Sequence, residues 1–397
     1  MIIAPAHRTE SVKEYYFSRK NREIAALSAE RVAKGLDPVV NLGIGSPDGM
    51  PPAVAIERLA QVAREKGSHR YQSYTGTPEL RQAFADWYAR WYGVTLDPAS
   101  EIQPLVGSKE GILLIALTFL NPGDKVLVPD PGYPTYSSSV KIAEGEMVPY
   151  PLRPETGWHP DFDALEAMDL TGVKMMWTNY PNMPTGGKAT PELYERVVAF
   201  ARKHKILVIN DNPYSFILNE TPLSILSVPG AKDCCLELNS LSKAHNMAGW
   251  RIGMVAGEAA MIKEILKVKS QMDSGMFRPL QMAAVEALKA GPDWFEALNA
   301  EYRRRRDVVW RIFDILGAKY DRDAAGLFVW GKVEAPAGDK TPGEQFSDRI
   351  FHEAGVFITP GFIFGHQGDS YIRASLCADV PTLEKAYEKV KALWEGR

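Results

Sequence analysis

The stretch "NSLSKAHNMAGWRIG" at residues 239–253 sets Lys243 behind two serines, Ser240 and Ser242, and eight residues ahead of Arg251. A lysine taken alone reads as a solvated surface charge. Two hydroxyls and an arginine at this spacing suit another purpose. They can hold a phosphate beside the lysine, because a guanidinium fork matches phosphate oxygens. A lysine removed from water keeps its amine neutral more readily, and a neutral amine attacks an aldehyde to form an imine.

The phosphorylated aldehyde that works through such a lysine is pyridoxal phosphate, and it makes further demands. Its phosphate needs donors, its pyridine nitrogen needs a carboxylate, and its ring needs a flat cover. "GSKEG" (107–111) precedes an apolar helix, so its backbone N–H groups can cradle an anion. Asp211 ends a predicted strand, where a carboxylate can meet the pyridinium; Tyr214, three residues on, can donate to the phenolic oxygen of the ring. Tyr133, in "DPGYPTY", can stack on the ring. Singly, Asp211 reads as a turn residue and Tyr133 as packing. Their order and their strand-end placement shift the balance toward a cofactor site.

The elements that must position these residues follow from the pattern. "KVLVPD" (125–130), "VKMMWTNY" (173–180), "ILVIND" (206–211) and "CCLELNS" (234–240) read as strands. "PELRQAFADWYARWYG" (78–93) reads as a helix, and so does 190–205, with Thr190 as cap and Pro191 at its first position. Residues 9–34 also look helical, ending near Gly35. Apolar strands alternating with amphipathic helices predict an α/β domain with a mostly parallel sheet. Ligands bind beyond the carboxyl ends of such strands, and Tyr133, Asn182, Asp211 and Lys243 all follow strands. After about residue 285 a long charged helix (294–316), then "GLFVWGKV", "GVFITPG", "YIRASL" and a final helix from about 381, predict a smaller α+β domain. The expected division is an N-terminal segment at 1–45 packing with the small domain, a large cofactor-binding domain at 46–285 and a small domain at 286–397.

Composition narrows the alternatives. Of 397 residues, 45% are hydrophobic and 24% charged, as in an ordinary globular chain, and the net charge of −3 gives no reason to expect a nucleic-acid partner. Cys234, Cys235 and Cys377 are too few and too odd for a disulfide framework. The N-terminus lacks the apolar centre of a signal peptide. The longest apolar run, at 111–120, is half a membrane span, so no membrane is expected and a cytoplasmic location is. "GIG" at 43–45 lacks the third glycine of a dinucleotide fingerprint, since position 48 is Asp48. No HExxH, no zinc spacing and no GxSxG occurs, which argues against a metal site or a serine hydrolase.

From about residue 39 to 378 the chain resembles the class I/II aminotransferases, the large pyridoxal-phosphate fold (fold type I) shared with aspartate aminotransferase. "NLGIGSPD", "YQSYTGTPELR", "VGSKEGI", "DPGYPTY", "NYPNMPTGG", "NDNPY", "SLSKAHNMAGWRIG", "TPGFIFG" and "YIRASL" occur in the family's order. The resemblance implies that Lys243 holds the cofactor as an internal aldimine and shifts the proton, that Asp211 pairs with the pyridine nitrogen, and that Tyr214 bonds O3′. It implies a phosphate site from Ser108, Lys109, Ser240, Ser242 and Arg251, with Tyr71 reaching the phosphate of the other subunit in a homodimer. Arg373 matches the arginine that grips the substrate α-carboxylate, and Gly45 a backbone position near the substrate.

One position departs. The family has asparagine immediately before "PTG", bonding O3′; here Met183 stands there and the asparagine is Asn182, one residue earlier. The bond to O3′ would then rest on Tyr214 alone or on a shifted loop, and the aldimine pKa would rise. The expected reaction is a ping-pong transamination between an L-amino acid and a 2-oxo acid. The motifs look most like the branch acting on LL-diaminopimelate or N-succinyl-diaminopimelate, with glutamate/2-oxoglutarate. Arg278 is weighed as a distal-carboxylate contact against a plain structural role. The alternatives are a carbon–sulfur lyase using the same cofactor, or an aspartate, alanine or aromatic aminotransferase.

Overall fold

The computed structural model describes residues 2–396. Met1 and Arg397, the outermost positions of the expected terminal divisions, lie outside the described residues.

Ile102–Leu105 (β1), Lys125–Asp130 (β2), Glu146–Pro151 (β3), Val173–Thr178 (β4), Leu207–Asp211 (β5), Cys235–Ser240 (β6) and Gly253–Ala256 (β7) form a seven-stranded sheet in the order β1-β7-β6-β5-β4-β2-β3. β7 runs antiparallel to both its neighbours, and every other pairing is parallel. The inner strands β4, β5 and β6 are buried along nearly their whole length because both faces of the sheet are covered there. In β4, Met175 and Trp177 enter one buried layer and Met176 the other, the two-residue alternation that a pleated strand imposes.

The helices that bear on the site are Tyr16–Ala33 (α1), Ser108–Phe119 (α2), Pro134–Ile142 (α3), Pro191–His204 (α4) and Pro292–Ile315 (α5). α4 starts as its sequence requires: Thr190 Oγ1 accepts from Leu193 N at 3.1 Å and Pro191 occupies the first turn. Val197 and Ala201 of α4 are fully buried, giving the helix its inner stripe.

A second, antiparallel sheet comprises Lys319–Tyr320 (β8), Phe328–Lys332 (β9), Thr359–Pro360 (β10) and Tyr371–Ser375 (β11), in the order β10-β11-β9-β8. The N-terminal part of the chain joins this side. Val40–Asn41 pairs in parallel with Val356–Phe357, and Ile24 of α1 packs on Phe351 and Phe357.

Two boundaries differ from the sequence reading. The single helix expected over 9–34 is two, His7–Glu10 and α1, and Ser11 Oγ donates to Arg8 O where the first one ends. The strand expected to reach residue 180 stops at Thr178, because Asn179 turns its amide onto backbone groups of Asp211 and Met183.

Candidate active site

A cavity of about 530 Å³ opens at the carboxyl ends of β2, β4, β5 and β6, the position that the topology of an α/β sheet makes available for ligands. Ser108, Lys109, Tyr133, Asp211, Tyr214, Ser240, Ser242, Lys243, Arg251, Arg373 and Gly45 all line it. Residues read from separate motifs therefore meet in one place.

Lys243 lies three residues beyond the end of β6. Its Nζ donates to Gly45 O, and no carboxylate among the described residues holds it directly. Burial pushes its pKa below the ordinary lysine value, and the nearby cations Arg373 and Arg251 push the same way. The amine is thus biased toward its neutral, nucleophilic form.

Asp211, the last residue of β5, is 4% exposed. Tyr136 Oη donates to its Oδ2 at 2.8 Å, and Tyr136 is itself fixed by stacking on Trp177, with ring centroids 4.8 Å apart. The other oxygen, Oδ1, is buried without a partner. Burial raises this carboxyl to about 7. An unpartnered buried carboxylate oxygen is costly, and a cationic ring nitrogen is the kind of group that relieves the cost.

The anion cradle sits opposite. Gly107 precedes α2 with φ +77, and a Cβ there would collide with the Arg251 guanidinium. A Cβ on Gly253 would likewise strike Ser108 N. The two glycines let a helix N-terminus and an arginine approach one point, where Ser240 Oγ donates to Ser242 Oγ at 2.9 Å. Backbone N–H groups, hydroxyls and a guanidinium together suit a phosphate.

Arg373, on β11, crosses from the small sheet into the cavity. Its Nη2 donates to Gly43 O at 2.8 Å and its Nη1 to Met183 Sδ at 3.3 Å, while Nε is buried without a partner. Phe328 and Phe364 lie 3.9 and 4.6 Å from the guanidinium carbon. Burial lowers its pKa to about 10, still far above neutrality, so the charge remains.

Three residues named from sequence do not reach the cavity. Asn182 Oδ1 accepts from Thr185 Oγ1 at 2.7 Å and so builds its own loop; the asparagine that lines the cavity is Asn179. Tyr71 is 90% exposed on the surface. Arg278 donates to Glu65 and to Ser68 Oγ, tying its helix to residues 65–68. Conversely, the sequence reading passed over Tyr136, Asn179 and the α1 side, which brings Tyr15, Phe17 and Asn21 to the cavity. Tyr136 was within reach, since it stands three residues after Tyr133 in a quoted motif. The α1 residues carry no local signal.

The family profile described as aminotransferase class I and II matches residues 37–390. An LL-diaminopimelate aminotransferase of Desulforudis audaxviator is 41% identical over 393 residues, covering 98% of both chains. One from Nitratidesulfovibrio vulgaris is 39% identical over 391 residues, again 98% of each. Among solved structures, substrate-bound BacF from Bacillus subtilis has a TM-score of 0.91 at 33% identity, covering 99% of this chain and 98% of that one. An aspartate aminotransferase mutant from Thermus thermophilus has a TM-score of 0.88 at 28% identity, covering 98% and 100%.

Proposed function

The chain belongs to the class I and II aminotransferases and is a transaminase, and we propose that its cofactor is pyridoxal phosphate held at Lys243, with LL-diaminopimelate as amino donor and 2-oxoglutarate as acceptor. The observation that carries the cofactor assignment is the meeting of Lys243, the orphaned Asp211 Oδ1 and the Arg251 cradle in one cavity. The donor follows from relatives of that name near 40% identity over almost the whole chain.

When bound, pyridoxal phosphate supplies an aldehyde and an electron sink. Arg251, Ser240, Ser242, Ser108 and Lys109 bind its phosphate. Asp211 keeps a proton on the pyridine nitrogen, and Tyr136 Oη holds Asp211 in the orientation that leaves Oδ1 free. Tyr214, buried at the cavity wall, donates to the ring oxygen. Arg373 binds the α-carboxylate of the amino acid and then of the oxo acid, so both half-reactions use one site. Lys243 Nζ would take the proton from the substrate Cα and pass it to the cofactor carbon C4′, a role for which its depressed pKa prepares it. The aromatic rings around Arg373 exclude water from that end of the cavity.

We further assign residues 46–285 to the cofactor-binding domain and 286–397, with the N-terminal segment, to the smaller one. Two copies would pair through the face where exposed Tyr71 and Phe277 lie on adjoining segments, Gly275 against the backbone of Gln72 and Ser73, and Tyr71 would reach the partner's phosphate site. No helix among the described residues is long and apolar enough to cross a membrane, and a cytoplasmic location is the natural setting for these substrates.

The test is a panel of amino donors with 2-oxoglutarate on purified, cofactor-loaded protein. Glutamate formed fastest from LL-diaminopimelate supports the reading. Release of pyruvate and ammonia from cystathionine, without any oxo-acid acceptor, would replace it with a lyase.

A further inference from the structure

The molecule holds two buried arginines among its described residues, and they are treated in opposite ways. Arg305, on α5, is 7% exposed and satisfied by charge. Its guanidinium donates to Asp48 at 2.6 and 3.2 Å, to Glu301 at 2.9 Å and to Leu376 O at 3.1 Å. Arg373 is 4% exposed and has one carbonyl, one thioether and an orphaned Nε. A buried guanidinium without an anionic partner is expensive, so its surroundings must hold it in place by other means.

Met183 is one of those means. Its backbone N donates to Asn179 Oδ1 at 2.8 Å, and Asn179 Nδ2 donates to Asp211 O at 2.6 Å, so the residue is tied to the strand that carries Asp211. Its side chain is 5% exposed, lines the cavity and meets Nη1 of Arg373. Sulfur in a thioether is a weak acceptor on a flexible stem. It can orient an N–H edge but cannot compete with a carboxylate, whose bonds to a guanidinium are charge-assisted and bidentate.

We propose that Met183 is a positioning residue for substrate carboxylates: its thioether aligns the Nη1 edge of Arg373 and then yields that edge to the incoming anion. The proposal rests on Arg373 being the carboxylate site. A stronger acceptor at this position holds the edge against substrate. An aliphatic side chain of similar volume leaves the edge unaligned.

The experiment uses cofactor-loaded protein and measures glutarate binding by calorimetry, together with KM and kcat for the amino donor. Met183→Gln is expected to weaken glutarate binding and raise KM about tenfold, the difference between a full and a weak hydrogen bond to a charged group. The change should fall on KM more than on kcat. Met183→Leu is expected to weaken binding about two- to threefold. Unchanged or tighter glutarate binding in Met183→Gln overturns the proposal. If the amide unfolds the loop, Met183→Leu decides alone, and binding equal to the parent's overturns it. Arg373→Ala separates the proposal from its premise. If that variant binds glutarate as the parent does, the carboxylate site is elsewhere. If it loses glutarate while both Met183 variants keep it, the site stands and Met183 is only packing.

Discussion

The two walls of the cavity are built on opposite terms. The wall at the carboxyl ends of the large sheet is made by short strand-end motifs that meet with closely constrained geometry: Gly107 against Arg251, Gly253 against Ser108, Tyr136 on Asp211. The wall from α1 and the small sheet is lined by aromatic side chains around one arginine. Phe17, Phe328 and Phe364 gather around Arg373, Met183 reaches it from the loop after β4, and none of them gives it an anion. The first wall suits a group that stays, and the second suits one that must come and go. On this account cofactor affinity resides in the first wall and substrate affinity in the second.

Substitutions can break that division, and the largest effect is expected at Lys243, which serves both walls. Lys243→Ala should lower turnover by roughly 10⁴ or more, the scale of losing a general acid–base. Retained activity in a steady-state assay would contradict the assignment. Arg373→Ala comes next. KM for α-carboxylate substrates should rise about a hundredfold, as when one partner of a buried charged contact is truncated, while the cofactor dissociation constant should hold. If the cofactor constant moved as much as KM, the walls would not be independent. Tyr136→Phe probes the opposite side. Removing its bond to Asp211 should weaken cofactor binding about tenfold with little change in KM, as read by fluorescence titration with pyridoxal phosphate.

A smaller effect concerns stability rather than the site. His245 is fully buried between Trp87 and Phe295, and both its ring nitrogens lack partners. Burial lowers its pKa from 6.5 to about 3. The unfolded chain therefore binds a proton below pH 6.5 that the folded chain refuses until about pH 3. Stability falls with pH across that window, at up to about 1.4 kcal/mol per pH unit. His245→Phe should flatten this dependence in denaturant titrations at pH 7 and pH 5. An unchanged slope would mean that His245 finds a partner for its proton.

The contrast between the walls also decides how much of the molecule was legible in its sequence. β2 was read to its exact ends, and β4, β5 and β6 to within two residues, because central parallel strands are continuous apolar runs. β3 was missed: "EMVPYP" carries two prolines, which an edge strand tolerates. β1 and β7 have four residues each, too few for a periodicity to register. The cofactor side of the site was legible because its residues sit at strand ends within motifs. Asn179 and Asn182 show the limit. They stand on either side of Pro181, and only side-chain direction, fixed by Asn179's bonds to Asp211 and Met183, tells which one faces the cavity. Tyr15 and Phe17 were invisible for a further reason: more than 200 residues separate them from Lys243, and nothing local marks the face they present.

One measurement tests the centre of this account most directly. Protein loaded with pyridoxal phosphate is treated with borohydride, digested and read by mass spectrometry. A single phosphopyridoxyl adduct on Lys243 is the predicted result. An adduct on another lysine, or none, would contradict the placement of the cofactor on which every assigned role depends.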